Sequence, residues 1–414
     1  MTKSVFAAAG LSAALLMSST ALAQDSIVIA GRDGVYATGL GMMVEAYQAA
    51  NPGVEIELLE LPYANLYERA VISMREGAGA YDVVLMDDTW ATEFMSEGWL
   101  TDLETLGYTS DSDFIFPTIA ASQHPYGDGP LFALPMVGNV ELFAYRTDLF
   151  EAHGLEHPPA DWDAVVEAAA TLSEAGVVDH GVVYRGQKAN PIVTGFLPIL
   201  WAHGARLVDS DGNPALDTPN AVEALELYLS LRPYAPEDVV VWNSSEVRDA
   251  LQSGRAAISI EVWPSWVPAL DDPEVSDVVG NVEIIAAPGQ VQGPTPMLGA
   301  WLLAVPADAP NPEGGLDFIQ FVTSAESQER LALEVGLPPT RATVYTDEDV
   351  VAQYRWYPNQ LEALQNALPR PRIRQWSQVE SIMGDYLQLA LLDEITPAEA
   401  IAEAHAAIAD VLAE

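Results

Sequence analysis

The chain of 414 residues has no cysteine and only two lysines, Lys3 and Lys188. Without thiols it forms neither a disulfide nor a thiolate metal site, and it lacks the lipidated cysteine that anchors bacterial lipoproteins. Lys and Arg together number 17 against 60 Asp and Glu, for a formal net charge of −43. Nucleic-acid binding needs clustered cations that release phosphate counterions, so this balance argues against it, and anionic membrane surfaces are disfavoured on the same ground. Beyond the N-terminus no run approaches the roughly 20 uncharged apolar residues that cross a bilayer. What is present is material for a core: 50% hydrophobic residues, with 10 Trp, 15 Tyr and 10 Phe, which sets the chain apart from charged disordered sequences. Its length exceeds what a single core usually fills, so two lobes are expected. The acidic, lysine-poor surface reads as salt-adapted, because screening within about 8 Å or less removes most of its self-repulsion. Steering of a cationic ligand is the competing reading.

Residues 1–23 read as a cleavable export leader. Lys3 supplies a positive start, Val5 to Met17 an apolar stretch, and Ala21-Leu22-Ala23 a small-residue cleavage pattern. The processed chain is expected to start near Gln24 and, with no lipid anchor, to reside in the periplasm.

Downstream, hydrophobic periodicity switches repeatedly between periods of two and 3.6. Ser26 to Ala30 read as a buried strand, residues 37–50 as a helix stopped by Asn51-Pro52-Gly53, 54–61 as a strand, 65–76 as a helix and 81–86 as a strand. This β-α-β-α-β order predicts a parallel sheet flanked by helices, whose ligands sit beyond the carboxyl ends of the strands. Leu131 to Arg146 read as an extended crossover between lobes. A second α/β region follows, with helices near 161–175, 191–203, 218–232 and 245–253 and strands at 181–184 and 256–260. Pro288-Gly289 and Gly293-Pro294 mark another crossing before a strand at 300–305. The last 70 residues are helix-rich, and Thr396 with Pro397 predicts a capped final helix.

Motifs for chemistry are weak. His153-Gly154-Leu155-Glu156-His157 matches an H-x-x-E-H zinc pattern, which works only where a helix places both imidazoles on one face; Gly154 and Pro158-Pro159 deny it that helix. Asp209-Ser210-Asp211-Gly212-Asn213 lacks the EF-hand Gly and Glu positions and reads as a hairpin turn. Gly39-Leu40-Gly41 lacks the third glycine of the dinucleotide fingerprint, and neither a P-loop nor a G-x-S-x-G elbow occurs. No catalytic residue, metal ligand or cofactor site is assigned. Instead, aromatic and polar side chains gather at strand ends. Flat rings suit the C–H faces of sugars, and amides, carboxylates and guanidinia suit hydroxyls. About half of the tryptophans are expected to be ordinary core.

The segments Ala49-Ala50-Asn51-Pro52-Gly53-Val54, Gly79-Ala80-Tyr81-Asp82-Val83-Val84, Glu97-Gly98-Trp99-Leu100-Thr101-Asp102-Leu103, Tyr145-Arg146-Thr147-Asp148-Leu149-Phe150, Gly254-Arg255-Ala256-Ala257 and Gly336-Leu337-Pro338-Pro339-Thr340-Arg341 carry a resemblance. In their order and spacing the chain resembles the extracellular solute-binding proteins of family 1, the maltose-binding-like group that serves ABC importers. The resemblance implies an α/β, two-lobed periplasmic binding protein fold of type II, each lobe a mostly parallel sheet flanked by helices, with hinge crossovers and a helical C-terminus. The expected limits are 24–137 plus 291–338 for one lobe and 138–290 plus 339–414 for the other. It implies a monomeric receptor, not an enzyme, that captures a mono- or oligosaccharide or polyol between its lobes and delivers it to a membrane permease with a cytoplasmic ATPase. The implied cleft residues are Arg32, Asp33, Tyr36, Tyr63, Asp87, Asp88, Trp90, Asn139, Trp242, Asn243, Glu261, Trp263, Gly299, Ala300, Trp301 and Arg341. Asp88 and Glu261 are expected to hold hydroxyls from opposite lobes while Trp263 stacks on the ring. The acidic Asp87-Asp88 pair departs from the family pattern and keeps a cationic osmolyte, such as a betaine, as the alternative ligand. A secreted glycan hydrolase is the distant alternative.

Overall fold

The computed structural model describes residues 26–413; the expected leader at 1–23 and the start near Gln24 lie outside the described residues. Among the described residues, nine strands, β1 (Ser26–Arg32), β2 (Glu55–Leu61), β3 (Val83–Asp87), β4 (Ala133–Val137), β5 (Leu142–Arg146), β6 (His180–Val183), β7 (Ala256–Val262), β8 (Val282–Ile285) and β9 (Trp301–Ala304), form two sheets ordered β2-β1-β3-β9-β4 and β6-β7-β5-β8. Every residue of β3 and of β7 is buried, as expected of central strands covered on both faces. The edge strand β2 instead carries Glu55, Glu57 and Glu60 outward, a charged edge that resists pairing with another chain.

Both sheets are mixed, which corrects the expectation of mostly parallel ones. β1 pairs in parallel with β2 and β3, and β6 with β7, but β9 runs antiparallel to β3 and β4, and β5 antiparallel to β7 and β8. The cause is connectivity. β5 and β9 are the strands entered directly from the crossings, so they start at the seam between the sheets, where their neighbours end.

The crossings lie side by side at that seam. Glu141 N–H donates to Met297 O (2.8 Å), Gly299 N–H to Asn139 O (2.9 Å), Gly138 N–H to Pro338 O (2.8 Å) and Leu298 N–H to Leu368 O (2.9 Å). A Cβ on Gly138 would fall 2.2 Å from Pro339 O, so only glycine lets these two backbones approach. The Tyr357–Gln365 helix packs on β8, and the Trp376–Leu391 helix packs on the Asn190–Ala202 helix. The final helix, Pro397–Leu412, begins with the predicted Thr396 cap, completed by Glu399 as a capping box. No helix among the described residues is long and apolar enough to cross a membrane.

Candidate functional site in the cleft between the sheets

Strands of both sheets end at the seam, and a cavity of about 720 Å³ opens there. Arg32 follows from the end of β1, Asp87 from the end of β3, Trp301 from the start of β9 and Gly299 and Asn139 from the crossings; Tyr36 and Tyr63 lie in the first turns of the helices Val35–Ala50 and Tyr63–Glu76. The opposite wall carries Asn243 and Trp263, just before the helix Ser244–Gln252 and just after β7. Nine of the sixteen sequence-derived candidates therefore meet at one cavity.

Aromatic rings form much of the wall. Tyr36 and Trp301 lie 4.8 Å apart between centroids, and Tyr63 lies 4.9 Å from Trp90 and 5.9 Å from Trp301. Trp90 and Trp301 are themselves buried and support the tyrosines. Trp263 is half-buried, and its ring lies so close to Gly299 that a Cβ there would fall 2.4 Å from Cζ3. Asn139 donates its amide to the Tyr36 hydroxyl (3.1 Å), while its buried Oδ1 has no partner among the described residues.

The carboxylates are arranged differently from the expectation. Asp88 is fully buried behind the cavity wall; Arg370 donates to its Oδ1 (2.6 Å) and also to Asp87 (2.8 Å). Burial pushes the Asp88 carboxyl up to about 7, against the pull of Arg370 and Arg372. Glu261 is equally buried and accepts from Arg185 Nε (2.8 Å), Nη2 (2.7 Å) and backbone N–H (2.9 Å). Neither acid lines the cavity, so the expected hydroxyl shell of Asp88 and Glu261 is corrected: Glu261 is taken up by Arg185, and Asp88 accepts from Arg370 at Oδ1 while its buried Oδ2, 3.9 Å from Arg372, has no hydrogen-bond partner among the described residues. Asp87, at the wall, also accepts from the Tyr63 hydroxyl (3.2 Å). Burial raises the Tyr36 hydroxyl, and raises that of Tyr63 well above the ordinary tyrosine range, keeping both protonated as donors.

The remaining candidates are placed elsewhere. Asp33 is exposed beside the cavity's rim, Ala300 is buried and gives its carbonyl to Asp88 N–H (3.0 Å), and Trp242 is buried with its indole N–H on Asp238 (2.9 Å). Arg341 joins Asp111 (3.0 Å) and Asp113 (3.4 Å) and covers Phe114, a clamp on the first sheet's flank. At the cavity but absent from the sequence-derived set are Arg185, Gln187, Lys188, Asn190, Thr194, Trp266, Arg370, Ser377, Glu380 and Ser381. One signal for them was available: Arg370, Arg372 and Arg374 put three arginines within five residues of a chain poor in cations. The weak motifs resolve structurally, with Gly39-Leu40-Gly41 inside the helix Val35–Ala50. Gly154 closes the helix Thr147–His153, Asp209 folds a turn by accepting from Asn213 N–H (2.8 Å), and no cluster among the described residues has the makings of a metal site.

The family model described as bacterial extracellular solute-binding protein matches residues 36–329. A "Probable ABC transporter-binding protein" of Deinococcus radiodurans is 27% identical over 365 residues, covering 85% of this chain and 86% of that one. Among solved structures, maltose-bound MalE3 of T. maritima superposes with a TM-score of 0.83 at 28% identity, covering 94% of this chain and 99% of that chain. A solute-binding protein of Agrobacterium radiobacter K84 in complex with ribitol also reaches 0.83, at 25% identity and coverages of 93% and 98%.

Proposed function

The chain belongs to the bacterial extracellular solute-binding protein family, transport receptors that perform no chemistry, and from that premise we propose that it captures a sugar or polyol in the cleft and hands it to the permease of an ABC importer. The observation that carries the ligand class is the wall of the cavity: tyrosine and tryptophan faces alternate with the amides and hydroxyls of Asn139, Asn190, Asn243, Ser244 and Ser377. That the similar structures hold maltose and ribitol supports the same class. Binding in the periplasm by a monomer follows from this role, with lobes of 24–137 plus 291–338 and 138–290 plus 339–414. Ligand bridging the seam favours the closed arrangement, because only a difference in affinity between two states shifts their populations.

The reading of a cationic osmolyte loses its footing. Asp87, Asp88 and Glu261, on which it rested, are held by Arg370 and Arg185. Thermal-shift screening of sugars, polyols and betaines on refolded, ligand-free protein is expected to give stabilisation only with hydroxylated ligands. Titration calorimetry of Trp263→Ala is expected to show about 10-fold weaker binding or more, as loss of a stacking face costs about 1.5 kcal/mol. Unchanged affinity would remove Trp263 from the ligand's surface.

A further inference from the structure

Among the described residues, the cations at the cavity are paired with acids except one. Arg185 is neutralised by Glu261, Arg370 by Asp87 and Asp88, and Lys188 by Asp385 (2.8 Å). The Arg32 guanidinium instead lies among three rings, 4.8 Å from the centroid of Tyr36, 5.3 Å from Tyr63 and 4.7 Å from Trp301. Among the described residues it meets no carboxylate in an ion pair and gives no side-chain hydrogen bond. The other uncommitted charge-bearing group at the wall, Glu380, accepts from the Asn190 amide (2.8 Å), and burial pushes its carboxyl toward the neutral form.

We propose that the ligand is a polyhydroxylated carboxylate, a sugar acid of the aldonate or uronate class, whose carboxylate is received by Arg32. The inference rests on the sugar reading above and narrows it. Closing the cleft around a neutral ligand would leave the Arg32 charge desolvated with only ring faces for compensation, and burying an unpaired charge is costly. A carboxylate supplies a single negative charge and two oxygens that fit the planar guanidinium fork. The rings that hold Arg32 fix the direction of that fork and shield the resulting pair from water, while Asn139 Oδ1, unpartnered among the described residues, and the Ser381 hydroxyl at the wall are available to the ligand's hydroxyls. A phosphorylated sugar would bring a second negative charge, for which the cavity has no further uncommitted cation among the described residues. The protein's overall negative charge does not oppose binding at close range, since its field is screened within about 8 Å at physiological salt.

The test is calorimetric titration of the refolded, ligand-free chain with D-gluconate and D-glucuronate against their neutral counterparts D-glucitol and D-glucose, with glucose 6-phosphate as the dianionic control. A wider set of aldonates and uronates, each beside its neutral counterpart, covers differences in hydroxyl stereochemistry. The expected result is a sugar acid bound about 10- to 100-fold more tightly than its neutral counterpart, the range of a hydrogen bond to a charged partner, and more tightly than the phosphate. Arg32→Met is expected to bring the acid-to-neutral ratio to about one, and Arg32→Lys to retain part of it; circular dichroism and melting curves verify folding. Neutral sugars or polyols binding as well as the acids, or a ratio untouched in Arg32→Met, would overturn the acid assignment and leave the sugar reading standing. Tightest binding of glucose 6-phosphate would overturn the carboxylate. Binding of no hydroxylated ligand at all would defeat both readings together.

Discussion

At the scale of single residues, the cleft is governed by which polar groups are spent and which are free. Arg185 and Glu261 are spent on each other. Arg185→Met would leave Glu261 buried without a countercharge, and urea unfolding is expected to show a loss of about 3–5 kcal/mol; the double variant Arg185→Met/Glu261→Gln should recover part of it, since removal of both partners is less costly than stranding one. Glu141 is the opposite case. It is buried at the crossing, neither carboxyl oxygen has a partner among the described residues, and burial, reinforced by Glu261, raises it well above the ordinary glutamate range. Asp88 and Glu380 are raised by burial as well. At these groups the folded chain holds protons that the unfolded chain has released, so the stability they contribute is greatest below the unfolded values and falls as pH rises toward the folded ones; for Asp88 that window runs from 3.8 to about 7. Each such group contributes up to about 1.4 kcal/mol per pH unit within its window. Unfolding free energies measured between pH 5 and 8 should therefore decline, and Glu141→Gln, which fixes the neutral form, should flatten the decline. A Glu141→Gln slope equal to that of the parent would mean that Glu141 is already ionised in the fold.

At the scale of elements, the crossings are closely packed, because their backbones run against one another at the seam. Gly138→Ala would drive a methyl group into Pro339 O, a contact that no side-chain rotation relieves. A loss of about 1–3 kcal/mol is expected from thermal unfolding, by analogy with overpacked cores. Gly293, in the second crossing, has no neighbour within 4 Å of its Cβ position, and Gly293→Ala should change stability by no more than about 0.5 kcal/mol. The elements themselves were largely legible in the sequence. The helix read at 37–50 is Val35–Ala50, that at 191–203 is Asn190–Ala202, and the strand read at 256–260 is Ala256–Val262, because periodicity, Gly and Pro stops and cap residues are local signals. Strand direction was not legible. Whether a strand runs with or against its neighbour depends on which end of the sheet the chain returns to, and the antiparallel β5 and β9 return through the seam.

At the scale of the whole molecule, the charge of −43 acts as self-repulsion spread over the surface. Raising salt from 0.1 to 1 M shortens the screening length from about 10 to about 3 Å, so the melting temperature is expected to climb over that range, with sodium and potassium chloride acting alike. A flat or falling curve would show that the acidic surface is not a liability at low salt. At the cleft the acids are met locally by cations: Arg185, Arg370 and Arg372 all contact acids at or behind its walls.

By itself the sequence determined the alternation of strands and helices, which follows from signals a few residues long, while the order and spacing of its segments carried the family resemblance that implied Arg32, Tyr36, Tyr63, Asp87, Asn139, Asn243, Trp263, Gly299 and Trp301, which meet at a common cavity. Only the tertiary structure decided which charges at that cavity are available. Arg370 finds Asp87 across 283 positions and Arg185 finds Glu261 across 76. No local pattern encodes such pairs, because they are set by how the crossings fold back along the seam. That pairing holds Asp88 and Glu261 behind the cavity wall and leaves Arg32, among the described residues, as the cation at the cavity without a carboxylate partner.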